Sequence, residues 1–599
     1  MKIKIALCIF TVIWITLLAR VYYISIKSNT YYEELAKQNA IKNEKLAPLR
    51  GSILDINGKP LSVNKIGFSI GVTPGLSSSR NVKKLNKELK FLKSIMPEID
   101  FLKLKKIYFK KDSPYSHKYV KIIDFISYSK IIKNFTKISL HKNLQIKISS
   151  KRFYPYRDLA SHVIGYVGKS NINDMEKDSI AKLTEYTGKS GIEKYYNKVL
   201  EGTEGKKKTK VTAFNKEISV LSKKLPKSQN INLTIDVRVQ KYISKLFKDK
   251  TGAVIVMNAK NGKILAAGSY PEYDLNSFVS GISEKQWLKL SSDFNHPFTN
   301  KLINGLYPPG STVKMGVALA FLESGLITPR TTYFDSGEIE LGKRKFRGWK
   351  KGGHGRVNLN KAIRESCDIY FYDGSLKVGI DRITPVLQKL GFGKKTGIDL
   401  PHEFIGIVPG REWKMRKYQK PWYQGETLNT SIGQGYFLVT PVQIARYTAL
   451  IATGYGVTPH FIDRVGNLKT TYGINKAIFN KADIKYLKAL RKGMWDVVHV
   501  AHGTAKNYVN TKVSLAAKTG TAQVVGIPQS EKKRMKEYEL EYFKRSHAWL
   551  TTYGPYKNPQ YVVTAIVEHG GHGGSAAGGI ISKIYDKLVE LKYIKGALN

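Results

Sequence analysis

Ser311 and Lys314 stand three residues apart in Pro308-Pro309-Gly310-Ser311-Thr312-Val313-Lys314, where a Pro-Gly pair precedes a helical pattern. On a helix, positions i and i+3 share one face with Cβ atoms ~5–6 Å apart. A neutral lysine amine so placed can take the serine proton, which is the layout of an activated nucleophile. The spacing alone selects nothing, because it recurs at Ser62/Lys65, Ser127/Lys130 and Ser179/Lys182. What sets Ser311 apart is the chemistry that follows it in order. Ser366-Cys367-Asp368 comes next, and Lys518-Thr519-Gly520-Thr521 closes an apolar strand-like run from Val513.

Each group has a task in acyl transfer. Ser311, at a helix N-terminus, has its oxygen near the positive end of the helix dipole. Lys314 must be neutral to act as a base, and burial beside a second cation such as Lys518 favours that state. Ser366 can relay a proton between Lys314 and a leaving amine, and Asp368 can hydrogen-bond to its neighbours or to substrate. Lys518, Thr519 and Thr521 suit a substrate carboxylate. The backbone N–H groups of Ser311 and Thr521 are candidates for an oxyanion hole, worth ~2.7–4 kcal/mol per donor in other systems. A second Lys-Thr-Gly, Lys395-Thr396-Gly397, runs into Ile398-Asp399-Leu400-Pro401. That exit reads as a loop, so strand context selects Lys518.

Positioning these groups needs a sheet and helices. Ala253–Met257 and Lys263–Ala267 read as strands around Asn261-Gly262, a hairpin signal. Helices are predicted at 240–247, 311–324 and 360–377, strands at 513–518, 547–553 and 561–568, and a final helix from about 580. Strand pairs at both ends with helices between them predict an α+β domain with an antiparallel sheet flanked by helices. Upstream, residues 31–45 read as a polar helix, and Asn57-Gly58 as a hairpin turn. A lysine-rich stretch at 80–150 reads as a small module, and a boundary falls near residue 230.

At 599 residues, two or more domains are expected. The net charge of +53 invites a nucleic-acid reading. The lysines are spread along the whole chain among Ile, Asn and Tyr, however, which favours a solvated basic surface near anionic lipid or wall polymer. With Cys8 and Cys367 as the only cysteines, a disulfide framework is excluded, and so is a zinc module built from four cysteines. The run from Ile5 to Ile26, broken only by Arg20, follows Lys2 and Lys4 and carries Tyr22 and Tyr23 at its far end. It reads as one span with a cytoplasmic N-terminus, and the lack of a small-x-small cleavage site argues for an uncleaved anchor. No second long apolar stretch follows, so everything after residue 27 is expected outside the cytoplasm.

The ordered Ser-x-x-Lys, Ser-x-Asp and Lys-Thr-Gly groups resemble those of the serine penicillin-recognising enzymes. The whole chain is similar to class B penicillin-binding proteins. Arg50-Gly51 with Asp55 and Asn57-Gly58, Gly191-Ile192-Glu193, Leu233–Asp236, Pro271–Asp274, Gly352–Gly355, Ser431–Gly435 and Glu568-His569-Gly570 carry the likeness. Ser366-x-Asp368 and Trp422–Gly425 through Thr440–Gln443 point to the elongation branch of that class, the penicillin-binding protein 2 type; a septal role is the alternative.

The resemblance implies a signal anchor (residues 1–27), a pedestal (28–229) and a transpeptidase domain (230–599) in the periplasm, on a single pass through the inner membrane. It implies that Ser311 attacks the D-alanyl-D-alanine bond of a peptidoglycan stem pentapeptide. A neighbouring stem amine then takes the acyl group, with no cofactor required, and β-lactam antibiotics acylate the same serine. The implied partners are lipid-linked wall polymer, a RodA-like glycosyltransferase and an MreC-like scaffold. Some members are similar here but carry a zinc beside the active site. His354 and Cys367 match its ligands, Asp335 matches after a small shift, and Gly348 stands where a second aspartate would be. Three ligands and an open position make a less secure structural zinc. A β-lactamase or β-lactam sensor shares the three motifs. The first is usually much shorter than this chain, and the second normally has more spans or a cytoplasmic effector.

Overall fold

In the computed structural model, which describes residues 1–27, 30–31, 34, 40–113, 118–212, 217–471, 476–525 and 536–595, the apolar runs become one covered sheet. Its five strands are antiparallel, in the order Ile264–Tyr270, Gly252–Asn258, Tyr561–Val567, His547–Gly554, Ala516–Ala522. The three middle strands are buried almost throughout, because helices lie on both faces. Pro441–Thr453 packs on one side, and Gly573–Glu590 with Val237–Leu246 on the other. The strand that carries Lys518 is an edge. It begins at Ala516 and not at Val513, because Ala516 opposite Tyr553 is the first ladder pair.

The final helix starts at Gly573, well ahead of the expected position. Its glycines are the reason. A Cβ at Gly573 would lie 1.9 Å from the Trp549 carbonyl oxygen, and one at Gly578 would lie 2.7 Å from that of Tyr508. The glycine-rich run ahead of residue 580 is therefore also helix, pressed onto the sheet. The Asn261-Gly262 hairpin forms between its two strands, with Gly262 at φ +80°.

The described residues divide into two compact units. One comprises residues 52–169, 187–200 and 230–599 and contains the sheet. Within it, the 80–150 stretch builds a second apolar cluster from Leu85, Leu89, Leu92, Leu104, Tyr108 and Ile122, among others, beside strand Pro60–Val72. That strand follows the turn at Asn57-Gly58, where Gly58 has φ +79°.

The other unit comprises residues 1–51, 170–186 and 201–229. It holds the apolar helix Lys2–Tyr22 and its π-helical extension Tyr23–Lys27, together 26 exposed residues whose most apolar 18-residue window has mean hydropathy 2.1, long and apolar enough to cross a membrane. Of the polar helix expected at 31–45, positions 32–33 and 35–39 lie outside the described residues. Ile41–Leu46 is instead a strand, because Gly205–Val211 supplies a hydrogen-bonding partner, with Glu217–Lys224 beyond it.

Candidate active site

Gly310–Val313 form a 3₁₀ turn that leads directly into the α-helix Lys314–Glu323. In a 3₁₀ turn, positions i and i+3 eclipse, and the Lys314 N–H bonds the Ser311 carbonyl, which sets the two side chains on one face. The helix is buried on all sides through Leu322, and Lys314 is fully buried with it. Gly310 has φ +53°, and a Cβ there would stand 2.8 Å from the Thr521 carbonyl oxygen and 3.2 Å from its nitrogen. Only glycine lets the serine turn approach the Lys-Thr-Gly strand so closely.

The predicted helix at 360–377 is interrupted: Leu359–Arg364 ends, and Asp368–Val378 begins after a break at Glu365-Ser366-Cys367. Ser366 occupies the left-handed region at φ +57°. That conformation costs a non-glycine residue ~1–2 kcal/mol and persists only where surrounding contacts enforce it. Here the Lys314 Nζ donates to the Ser366 carbonyl (2.9 Å), and the Lys518 Nζ donates to the Ser366 Oγ (2.8 Å). Asp368 sits in the first turn of its helix, where the dipole favours a carboxylate. Its Oδ1 pairs with Lys314 at 2.7 Å, and its Oδ2 accepts from the Trp349 backbone N–H at 3.0 Å.

Two lysines thus share one buried site, with Asp368 as its carboxylate. Burial first, and the Lys314 charge second, hold the Lys518 amine well below its ordinary pKa, against the pull of Asp368. Lys518 therefore gives up its proton readily and can exchange one with the Ser366 hydroxyl.

Strand alternation puts Lys518 and Gly520 on one face and Thr519 and Thr521 on the other. A Cβ at Gly520 would lie 2.9 Å from the Thr312 methyl and 3.1 Å from the Pro309 oxygen, so the motif glycine is the seat for the serine turn. Thr519 shares a 2.7 Å hydroxyl pair with Thr504, and Thr521 is partly open to solvent. Of these residues Thr521 is the most open, while Lys518 and Thr519 are buried.

The competing triplet is engaged elsewhere. Thr396 donates to Glu403 through its N–H (2.7 Å) and hydroxyl (2.6 Å), Gly397 N–H adds a third bond (3.2 Å), and Lys395 is exposed.

Sequence reasoning missed four contributors. The Gln434 amide donates to the Thr521 oxygen at 3.1 Å, and Gly433 accepts from Gly310 N–H at 2.9 Å. Thr504 meets Thr519, and Trp349 supplies the backbone donor to Asp368. The glycine-rich Ser431–Gly435 run was the available signal for the first pair. A backbone donor has no residue-type signature, so nothing marked Trp349.

Beside the site, Asp335, His354 and Cys367 are buried with ligand atoms within 4.8 Å of one another. His354 Nδ1 meets Asp335 Oδ2 at 2.5 Å, and the Cys367 thiol donates to the same oxygen at 3.2 Å. Burial raises the Asp335 carboxyl, but hydrogen bonds from His354, Cys367 and Gly337 bring it below its ordinary pKa, while burial pushes the Cys367 thiol up. His354 Nε2 is buried and has no hydrogen-bond partner among the described residues. An N, O, S set with an orphaned imidazole nitrogen fits a borderline-soft ion such as zinc, and Gly348 offers no fourth side chain.

A turn-borne serine, two buried lysines and a strand edge lined with threonine hydroxyls define a serine acyl-transfer site. The family described as "Penicillin binding protein transpeptidase domain" matches residues 252–586, and "Penicillin-binding Protein dimerisation domain" matches 45–233. The chain belongs to the penicillin-binding protein transpeptidase family. It is 35% identical to peptidoglycan D,D-transpeptidase MrdA of Haemophilus influenzae over 587 residues, 95% of this chain and 88% of the relative. Among solved structures, a complex between penicillin-binding protein PBP2 and MreC from Helicobacter pylori matches with TM-score 0.85 and 44% identity, over 92% of this chain and 99% of that one. A peptidoglycan synthase complex that coordinates polymerization and crosslinking matches with TM-score 0.71 and 26% identity, over 100% and 99%.

Proposed function

We propose that this chain is the peptidoglycan D,D-transpeptidase of cell elongation, with Ser311 as its nucleophile. The observation that carries the reading is Ser366, held between both buried lysines, with its hydroxyl on Lys518 and its carbonyl on Lys314. Ser311 Oγ attacks the carbonyl of the penultimate D-alanine, and its proton passes to the Lys314 amine in its neutral form, the proton of the Lys314–Asp368 pair having moved to the carboxylate. The oxyanion that forms is stabilised by the N–H groups of Ser311 and Thr521. Collapse breaks the amide and releases D-alanine, whose nitrogen takes a proton through Ser366. A side-chain amine of a neighbouring stem then attacks the ester, restores the Ser311 hydroxyl and leaves a cross-link. One amide is exchanged for another, so no nucleotide or redox partner enters. Thr519 and Thr521 hold the terminal carboxylate, and Asp368 keeps Lys314 aligned. A β-lactam offers the same carbonyl but cannot leave, so it stays on Ser311.

Residues 1–27 act as a signal anchor with the N-terminus in the cytoplasm, residues 28–229 as the pedestal and residues 230–599 as the catalytic domain outside the inner membrane. An MreC-like scaffold and a RodA-like glycosyltransferase are its partners, in keeping with the relatives solved in such assemblies. The reaction needs no cofactor. Asp335, His354 and Cys367 would hold a zinc ion that braces the loop beside Ser366–Asp368 without entering the reaction.

The test is mass spectrometry of the full chain after penicillin treatment. One adduct on the peptide that contains Ser311, lost in Ser311→Ala, is expected. An unlabelled parent, or an adduct that persists in the variant, would sink this assignment.

A further inference from the structure

The helix Arg411–Tyr418 inverts the usual pattern of burial. Lys414 is the residue it buries, ion-paired to Glu426 at 2.5 Å and 4.6 Å from the Tyr423 ring centroid. Its aromatic side chains are left towards solvent. Trp413 and Tyr418 meet Tyr436 in a triangle of rings with centroids 5.7, 5.3 and 5.4 Å apart. Tyr418 is 44% exposed, neighbouring Met415 51%, and Trp413 and Tyr436 are half-buried. Aromatic rings dominate cores because they bury so much apolar area, so a ring cluster that a helix holds outward, while a lysine fastens the helix, serves contact and not stability.

The position of the cluster identifies what it meets. Gly433 is bonded to Gly310, Gln434 to Thr521, and Val439 forms a bridge with Tyr307. Tyr436 thus lies midway along a segment tied at both ends to the chain that leads into the nucleophile and to the catalytic strand. Three residues of extended chain, ~10 Å at most, separate Gly433 from Tyr436, and the ring triangle carries the surface further out. Of a five-residue stem, four residues stay on the sugar side of the attacked carbonyl and span ~14 Å when extended. The sugar that bears the stem is therefore within reach of the rings.

We propose that Trp413, Tyr418 and Tyr436 form a platform for the glycan strand that carries the donor stem peptide, an inference that rests on the transpeptidase reading above. The flat C–H faces of the sugar rings stack on the aromatic triangle. The exposed Arg416, Lys417 and Lys420 alongside complement the carboxylates on the stem. Contacts so far from the reacting carbonyl give the enzyme a way to prefer strand-attached stems over free peptide, since they tighten binding of the strand and so lower its KM.

The experiment uses the full chain in detergent with two donors, a free D-alanyl-D-alanine peptide and polymerised glycan strands with the same stem. The readout is the ratio of kcat/KM on strands to that on peptide, in Trp413→Ala, Tyr418→Ala and Trp413→Phe. The ratio should fall at least tenfold in the alanine variants through KM on strands, and Trp413→Phe should keep most of it. Penicillin labelling of each variant reports whether its site is folded. A ratio that stays at the parent value in folded alanine variants would overturn the platform, as would parallel losses on both donors. A parent inactive on both donors would instead overturn the transpeptidase reading itself.

Discussion

Gly433→Ala tests how the nucleophile is held. Gly433 has φ +75°, and a Cβ added there would stand 2.3 Å from the Gly310 carbonyl oxygen and 2.9 Å from its carbonyl carbon. Those atoms are backbone on both sides, so no side chain can swing away. Two costs follow. The left-handed conformation costs alanine ~1–2 kcal/mol, and relief of the contact moves the serine turn by about 1 Å, towards an ordinary van der Waals separation. The residue that moves is the neighbour of Ser311, and it also bears the N–H bonded to Gly433 at 2.9 Å. A misplacement of ~1 Å can cost about 10²-fold in rate. Thermal unfolding should thus show a modest loss of stability, while the second-order rate of penicillin acylation falls about a hundredfold. The Ser311 N–H, one of the two candidate oxyanion donors, moves with the turn, so kcat on peptide should fall more than KM rises. If Gly433→Ala acylates at the parent rate, the serine turn is not positioned by this loop and the reasoning fails.

Lys518→Ala should reduce acylation about 10²- to 10³-fold, the scale of losing one polar group from such a site, whereas Lys395→Ala should leave it at the parent rate; stopped-flow labelling with a fluorescent penicillin compares them. His162, buried with Nε2 on the Pro297 oxygen at 2.7 Å, has its pKa lowered by burial to about 4. Between pH 6.5 and about 4 the unfolded chain therefore binds more protons, so this stabilisation is complete above pH 6.5 and is lost on acidification. Urea unfolding should register a loss of up to ~3 kcal/mol across that window, with a shallower pH dependence in His162→Asn. Elemental analysis of protein purified without chelator should find about one zinc per chain, and its removal should expose the Cys367 thiol to a thiol reagent before it slows acylation; metal-free protein whose Cys367 stays unreactive would count against the ion.

The chemistry is legible where it depends on residue type and order. Ser311, Lys314, Ser366, Asp368 and Lys518 follow from motif spacing and order, and the structure brings the last four into one hydrogen-bonded network. The strands are legible because apolar runs bounded by turns announce a covered sheet. Two kinds of feature stay hidden. Glycines hide the helix start at Gly573-Gly574, where they are close-packing positions, because composition cannot separate a turn from a tight approach. Backbone and long-range partners are also hidden, among them Trp349 N–H on Asp368 and Glu403 beneath Thr396. The 31–45 segment reads as a helix because the partner of Ile41–Leu46 lies more than 150 residues downstream.

The central claim is that Ser311 carries an acyl group from one stem to another. Incubating the full chain with polymerised, pentapeptide-bearing glycan strands, then digesting them and resolving the muropeptides, tests it directly. Cross-linked dimers are expected, with one D-alanine released per cross-link, and neither product from Ser311→Ala. Cross-links formed by Ser311→Ala, or D-alanine released by the parent with only monomeric tetrapeptides left behind, would contradict it.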